Sequence, residues 1–213
     1  MQKNIYVVLS GPLTMSGKVI RKITKNSYSH ASISLDKELN EMYSFARFHY
    51  QNPIVGGFVH ENADNLTLKK ETDVFIKVFE IPVTKKQYRS IKNIIEYFKE
   101  NEEKYMYNLL ALILYPTGIH CKIRDSYICS EFVAHLLKES GIEKDKIKNT
   151  RLTPSQLITI LQDYECYDGS VQNYISTVQH ENFDNHYFEK ENIFFVIWKS
   201  IVQIGKLLFR KIS

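Results

Sequence analysis

The sequence predicts an α+β protein in which a small antiparallel sheet packs against helices. Strand-like segments fill the first part of the chain and helical segments follow, without the regular strand–helix–strand alternation of a parallel sheet. At 213 residues and 44% hydrophobic content, the chain is long enough for one well-buried domain with an appendage. We expect one folded domain at 1–175, a polar linker at 176–191 and a basic amphipathic helix at 192–213.

The first part of the chain carries the strand signals. In residues 28–36, Ala31, Ile33 and Leu35 alternate with His30, Ser32 and Ser34, which is typical of a strand with two unlike faces. A second strand follows after a short polar turn, so the two are expected to form an antiparallel hairpin. The pattern predicts strands over residues 4–11, 28–36, 41–48 and 72–81, a short helix over 14–24, and a loop over 52–57.

Three helices are predicted from their periodicity and their ends. Residues 84–101 begin with Thr84 and Gln87, the spacing of a capping box. Residues 105–115 are apolar nearly all round, which predicts a buried helix that ends before Pro116. Residues 153–163 begin with Thr153 as the cap and Pro154 in the first turn.

A fourth helix opens with a cysteine. One apolar face is formed by Cys129, Phe132, Val133, Leu136 and Leu137. Either Asp125 or Ser126 is expected to cap its start, and Gly141 follows its end. A thiol in the first turn has two interpretations: a small hydrophobic core residue, or a thiolate that the helix dipole stabilises.

A nucleophilic thiol needs a basic neighbour and a group that orients that neighbour. His30 is the most suitable of the seven histidines, because it opens a strand on the face opposite the apolar set. A zinc site would use His120, Cys121, Cys129 and His135, but their spacing matches no standard zinc pattern. We therefore predict no metal and no cofactor.

Three segments together resemble the circularly permuted papain-like hydrolases. These are the YiiX/YaeF-type branch of the NlpC-type peptidase superfamily, related to lecithin retinol acyltransferase. The similar segments are "IRKITKNSYSHASISLD", "YSFARFHYQNPIVGGFVHEN" and "YMYNLLALILYPTGIHCKIRDSYICSEFVAHLLKESGI". The histidine precedes the cysteine, the reverse of the order in papain, and the similarity covers roughly residues 4–160.

The resemblance implies a papain-like fold with Cys129 as the nucleophile and His30 as the general base and later acid. It also implies a polar third residue on the strand after the histidine strand. The nearest match there is Ser44, and Glu41 and Glu61 are the alternatives. The backbone N–H of Cys129 would donate to a developing oxyanion.

The implied function is a cysteine hydrolase or acyltransferase that cleaves an amide or ester bond through an acyl-thioester. The substrate would be a small molecule, a peptide or a lipid, including N-acyl amino acids. The alternative is a binding protein that keeps the fold and its groove without turnover. A net charge of +4 is too small to favour a nucleic-acid partner. Three cysteines and no recognisable signal peptide favour a reduced, cytoplasmic setting.

The last 22 residues combine an apolar stripe with basic residues. Lys199, Lys206, Arg210 and Lys211 follow Glu191 with no further acid. This composition is typical of a helix that lies in a membrane interface, and the apolar run is too short to span a bilayer. The alternatives are a terminal helix that packs on the domain, or one that pairs with a second copy in a homo-dimer.

Overall fold

The computed structural model describes residues 3–11, 28–67, 74–114, 121–181 and 187–212. It contains both strands and helices, with the strands gathered in one antiparallel sheet, and it confirms the predicted α+β class. The strands are β1 (Lys3–Ser10), β2 (His30–Ser34), β3 (Met42–Arg47), β4 (Gly56–Glu61), β5 (Phe75–Val83), β6 (Met106–Tyr107), β7 (Ser126–Tyr127) and β8 (Glu165–Ser170).

The helices lie mostly after the first five strands. They are α1 (Ala63–Thr67), α2 (Lys85–Glu100), α3 (Leu109–Leu114), α4 (Cys129–Glu139), α5 (Pro154–Leu161), α6 (Val171–Ser176) and α7 (Ile193–Ile212). Single 3-10 turns occupy Glu102–Lys104 and Gln162–Tyr164. Among the described residues, none of the helices combines the length and the apolar character that a bilayer-spanning helix needs.

The main sheet separates two hydrophobic cores. Its six strands lie in the order β4-β3-β2-β1-β5-β8, all neighbours antiparallel, while β6 and β7 form a short parallel pair. The larger core joins one face of the sheet to α2, α4 and α5. The smaller core joins the other face to α1 and α6. Alternation along β1, β3 and β5 places apolar side chains in both cores, whereas β2 and β4 supply apolar residues to the larger core alone.

Local sequence signals set the helix ends of α2 and α5. The side chains of Thr84 and Gln87 exchange hydrogen bonds with each other's backbone N–H groups, which is the predicted capping box. Thr153 and Gln156 do the same at α5, where Pro154 occupies the first position. Both predictions of helix starts are confirmed, since each cap supplies partners for N–H groups that have none within the helix.

The start of α4 differs from the prediction. Neither Asp125 nor Ser126 caps it: Asp125 lies in a turn with φ of 53°, and Ser126 begins β7. The residue before the helix is Ile128, whose backbone N–H donates to the Glu131 carboxylate at 3.2 Å. The prediction went wrong because it sought a cap on the N-terminal side, whereas the carboxylate reaches back from within the first turn.

The end of α4 agrees with its prediction. Gly141 has φ of 70°, and its N–H donates to the carbonyl of Lys138. The N–H of Ile142 donates to the carbonyl of Leu137 at 2.8 Å, which completes a Schellman motif. Glycine fits this position because other residues are strained in the left-handed region.

The segment predicted as one buried helix over 105–115 is different. It holds the short strand β6 followed by the six-residue helix α3, and the side chain of Ile113 is 61% exposed. The segment is apolar on all sides because it contains a strand whose two residues are buried. The helix that follows is only partly buried against the domain. Pro116, the predicted stop, and the helix predicted over 14–24 lie outside the described residues.

The elements that were not predicted include β4, α1, β7, β8 and α6. In β4, two glycines follow "NPIV", a composition typical of a loop. Gly56 pairs with Arg47, and an added Cβ would lie 2.2 Å from the carbonyl oxygen of Ala46. The glycine is therefore required by close strand pairing, and it does not mark a turn.

Described residues of the polar segment 176–191 contact the domain. His180 Nδ1 lies 2.7 Å from the carbonyl oxygen of Glu38. The hydroxyl of Tyr187 accepts a hydrogen bond from Arg47 at 3.0 Å, and its carbonyl accepts one from the Tyr50 N–H at 2.8 Å. These contacts bring the start of α7 to the end of β3.

Candidate active site

A histidine and a glutamate from two strands form a buried pair on one face of the sheet. His30 is the first residue of β2 and Glu61 is the last residue of β4. The His30 Nε2 atom lies 2.9 Å from Oε1 of Glu61 and 3.1 Å from Oε2. The two side chains are only 13% and 7% exposed, so the pair is shielded from water.

Ser32 completes the hydrogen bonding of this carboxylate. Its hydroxyl donates to Oε2 of Glu61 at 2.6 Å, and its oxygen is 3.3 Å from Nε2 of His30. Ser32 lies two residues after His30, on the same face of β2, because side chains alternate along a strand. The carboxylate is thus held by two neighbouring groups of one strand.

Burial and charge act in opposite directions on this pair. Burial alone would lower the pKa of His30, but the Glu61 carboxylate and a hydrogen bond with Cys129 raise this pKa to about 10. Burial alone would raise the pKa of Glu61, but the positive charge of His30 and the hydrogen bonds from His30 and Ser32 hold this pKa below its ordinary value. Near neutral pH the pair is therefore an imidazolium and a carboxylate.

The cysteine lies beside the imidazole. Cys129 is the first residue of α4 and is 6% exposed, and a hydrogen bond with Cys129 is one of the causes that raise the pKa of His30. Because Glu61 occupies Nε2, we assign the contact with the thiol to Nδ1. The sulfur belongs to the helix end at which backbone N–H groups have no intrahelical partner and the dipole is positive.

A buried tyrosine lies near the same sulfur. Burial, with the charge of Cys129 as the second cause, raises the pKa of Tyr107, so its phenol stays protonated. Tyr107 ends the short strand β6, which pairs with β7 directly before α4. The protonated phenol is a hydrogen-bond donor in the neighbourhood of Cys129.

The structure brings together two of the three predicted site residues. Cys129 and His30 interact, because a hydrogen bond with Cys129 contributes to the raised pKa of His30, whereas Ser44 makes no hydrogen bond to His30. The Ser44 hydroxyl is buried without a partner in normal hydrogen-bond geometry, but it lies close enough to Glu61 to help lower the pKa of this carboxyl. Of the two alternatives, Glu41 accepts from the Tyr43 hydroxyl at 2.8 Å, and Glu61 is the one that binds His30.

Two residues of the site had no predicted role. Ser32 carried a signal, since the alternation of β2 puts it on the His30 side of the strand. Tyr107 carried none, because its apolar neighbours made the whole segment resemble a core helix. Ser32 binds the Glu61 carboxylate through its hydroxyl, and Tyr107 is close enough to Cys129 for the charge of this residue to raise its pKa.

The residues of the alternative zinc site do not form a cluster in the described part of the chain. His135 packs against the rings of Tyr127 and Phe98, and burial lowers its pKa. His120 lies outside the described residues. No group of three or more histidine, cysteine, aspartate or glutamate side chains there is arranged to hold a metal ion.

A nucleophile, an acid–base group and a carboxylate that fixes its orientation are the elements needed for acyl transfer through a covalent intermediate. The Cys129 thiol interacts with the His30 imidazole, which in turn pairs with the Glu61 carboxylate. A comparison of the chain with protein-family models gives no match, and a search of curated proteins gives no match either.

Proposed function

We propose that the protein is a cysteine hydrolase or acyltransferase that cleaves an amide or ester bond through an acyl-thioester on Cys129. The observation that carries this proposal is the buried contact from Cys129 through His30 to Glu61. A core cysteine needs no such neighbours, because a buried thiol is stable as a small apolar group. A buried imidazolium beside it is costly unless it has a partner such as this carboxylate.

The first half of the reaction forms the acyl-enzyme. The thiolate of Cys129, paired with the imidazolium of His30, attacks the carbonyl carbon and makes a carbon–sulfur bond. Negative charge on the carbonyl oxygen is stabilised by the N–H of Cys129 and the hydroxyl of Tyr107. His30 then gives its proton to the leaving amine or alcohol as the carbon–nitrogen or carbon–oxygen bond breaks.

The second half regenerates the enzyme. The neutral imidazole of His30 takes a proton from water, or from the hydroxyl or amine of an acceptor, as that group attacks the thioester. The carbon–sulfur bond breaks, the sulfur leaves as a thiolate, and the imidazolium is restored. Glu61 holds the ring through both steps and stays ionised, since its pKa is lowered.

The resemblance to the circularly permuted papain-like hydrolases supports this proposal and the assignment of a papain-like fold. A strand that begins with the histidine, a helix that begins with the cysteine and the order of the two along the chain all agree with that pattern. One feature departs from it. The polar third residue is expected on the strand after the histidine strand, which is β3, but the partner of His30 comes from β4.

The proposal is tested by trapping the intermediate. The full chain is incubated with a panel of activated acyl esters and amides and quenched in acid, and the intact mass is measured. We expect an added acyl group on Cys129, identified by peptide mapping, and its absence in Cys129→Ala. Cys166→Ser, which removes the exposed thiol, is the matched control and should acylate normally.

A non-catalytic binding protein would give a different result. With the same panel, no acyl group would appear on Cys129, and the mass of the protein would remain that of the unmodified chain. Acylation of Cys166 alone would likewise overturn the proposal, because it would reflect the exposure of that thiol.

A further inference from the structure

The C-terminal helix α7 buries its polar side chains and exposes its apolar ones. The residues turned toward the domain are Ser200, Gln203 and Leu207, which are 8%, 7% and 3% exposed. Their spacing of three and four residues follows a single face of a helix. Of the three, Leu207 alone is apolar, and it packs with Met106 and Ile123.

Hydrogen bonds fix this inverted orientation. The Gln203 amide accepts from the N–H of Gly56 at 3.3 Å and donates to the carbonyls of Gly56 and Ile54, both at 3.2 Å. Near the end of the helix, Arg210 donates to the carbonyl of Lys104 at 2.9 Å. Rotating α7 to bury its apolar face would leave these buried polar groups unpaired, which is unfavourable.

One side of α7 is a continuous apolar surface, which we call the outer face. Its members are large, and each exposes between 40% and 78% of its surface: Ile193, Phe194, Phe195, Ile197, Trp198, Ile201, Ile204, Leu208 and Phe209. Single exposed apolar residues are common on proteins, but a patch of this extent marks an interaction surface. Two aromatic residues, Phe195 and Trp198, have ring centroids 6.3 Å apart within it.

The charge of this segment indicates which partner the outer face fits. Residues 192–213 contain Lys199, Lys206, Arg210 and Lys211 and no acidic residue, a net charge of 4 − 0 = +4. Two copies paired through this face would bring their basic groups together, which is unfavourable. An anionic lipid surface instead offers an apolar layer beneath a negatively charged one.

We propose that α7 is a peripheral membrane-binding helix whose outer face inserts into the interface of an anionic bilayer. The helix lies along the surface, with its polar residues held by the domain and its apolar residues among the acyl chains. This inference does not depend on the proposed enzymatic activity, because it uses contacts of α7 alone.

Trp198 is the single tryptophan of the chain and lies on the outer face, 61% exposed. Its fluorescence therefore reports insertion directly. We expect its emission to shift to shorter wavelength with phosphatidylcholine vesicles that contain phosphatidylserine, and to shift much less with phosphatidylcholine alone. Co-sedimentation should show the same preference and should weaken as salt screens the charges.

Variants separate the apolar and the charged contributions. The double variant Phe194→Ser with Ile201→Ser should weaken vesicle binding at least about tenfold, and Lys206→Gln should weaken it about fivefold. Phe75→Ser is the matched control, since Phe75 is 64% exposed on β5 and away from α7, and binding should be unchanged. All three variants keep Trp198 as the reporter.

Two results would overturn the proposal. One is a Trp198 emission that is unaffected by anionic vesicles while the full chain stays in the supernatant. The other is a concentration-dependent dimer whose Trp198 emission is already shifted without vesicles, which would assign the outer face to a second copy of the chain.

Discussion

The helices α4 and α7 are both amphipathic, but they turn their apolar faces in opposite directions. Phe132, Val133 and Leu136 of α4 are fully buried in the larger core. In α7, Ile201 and Phe209 are 65% and 72% exposed, while Gln203 is buried. Periodicity therefore tells which residues share a face of a helix, but it does not tell which side the rest of the protein covers.

The difference follows from the surface against which each helix packs. The apolar face of α4 meets apolar residues of β2 and β3, such as Ile33 and Phe45. In contrast, α7 meets backbone N–H and carbonyl groups of Ile54 and Gly56, to which the Gln203 amide hydrogen-bonds and a leucine would not. The packing of α4 also shields His30 and Glu61 from water, which strengthens the attraction between their charges.

The largest expected effect is on activity at α4. Cys129→Ser should lower turnover at least about a thousandfold, because a hydroxyl is not ionised by the same imidazolium and helix end. The melting temperature should change little, since the substitution removes little volume. Steady-state kinetics on any substrate found with the acyl panel, together with thermal unfolding, measures both. Turnover close to that of the unmodified protein would show that the thiol is structural.

The next effect is on stability at the buried pair. Glu61→Ala should lower the free energy of unfolding by about 3–5 kcal/mol, because it leaves a buried imidazolium without its partner. Urea denaturation at pH 6 measures this. Glu41→Ala is the matched control: Glu41 accepts one hydrogen bond from Tyr43 and lies outside the site, so its loss should cost about 1 kcal/mol. Equal costs would contradict the assignment of Glu61.

The same pair predicts a pH dependence with a definite sign. The pKa of His30 is raised from 6.5 to about 10, so its contribution to stability is complete below pH 6.5 and is lost as the pH rises to about 10. The pKa of Glu61 is lowered, so its contribution is present above pH 4.5 and is lost in more acidic solution. Unfolding free energies of the unmodified protein and of His30→Gln should therefore differ most between pH 4.5 and 6.5 and converge toward pH 10. A constant difference would contradict the ion pair.

Two adjacent leucines of α7 test its orientation. Leu207 is 3% exposed and Leu208 is 48% exposed. Leu207→Ala should lower the free energy of unfolding by about 2–5 kcal/mol, the usual cost of a cavity. Leu208→Ala should change it by no more than about 0.5 kcal/mol, as at other exposed positions. The reverse order, measured by urea denaturation, would mean that α7 packs through the opposite face.

The smallest effect is expected at Ser44. Its buried hydroxyl has no hydrogen-bond partner in normal geometry, so Ser44→Ala should cost less than about 1 kcal/mol or even stabilise the protein. Ser32→Ala removes the donor to Glu61 at 2.6 Å and should cost more. Comparing the two variants by urea denaturation distinguishes them, and an equal or larger cost at Ser44 would assign it a role at the site.

Much of the fold follows from local sequence signals, and the exceptions have identifiable causes. The ends of α2 and α5 were predictable because Thr84 and Thr153 satisfy backbone groups within four residues of chain. The strand β4 was not, because its two glycines are explained only by the approach of Ala46 from the neighbouring strand. A contact between strands is set by tertiary packing and leaves no periodic signal in one segment.

The residues of the site also divide into those that local sequence signals predict and those that they do not. Cys129 and His30 were proposed from the helix start, the strand start and the resemblance, and a hydrogen bond with Cys129 is among the causes that raise the pKa of His30. Glu61 was only an alternative, because the third residue was expected on the strand after the histidine strand, and the strand that presents Glu61 was not predicted. The third residue of such a site is held by distant parts of the chain, so its identity depends on which strands pair.

The central claim is that His30 activates the thiol of Cys129, and competition between two thiols tests it most directly. Cys166 is exposed and Cys129 is 6% exposed, so access alone favours reaction of Cys166. The sulfur of Cys166 is nevertheless partly withdrawn from water, which raises the pKa of Cys166 and disfavours its thiolate. Limited iodoacetamide at pH 6, followed by peptide mapping, should label Cys129 well ahead of Cys166 and should lose this preference in His30→Gln. Faster labelling of Cys166 in the unmodified protein, or an unchanged preference in His30→Gln, would contradict the claim.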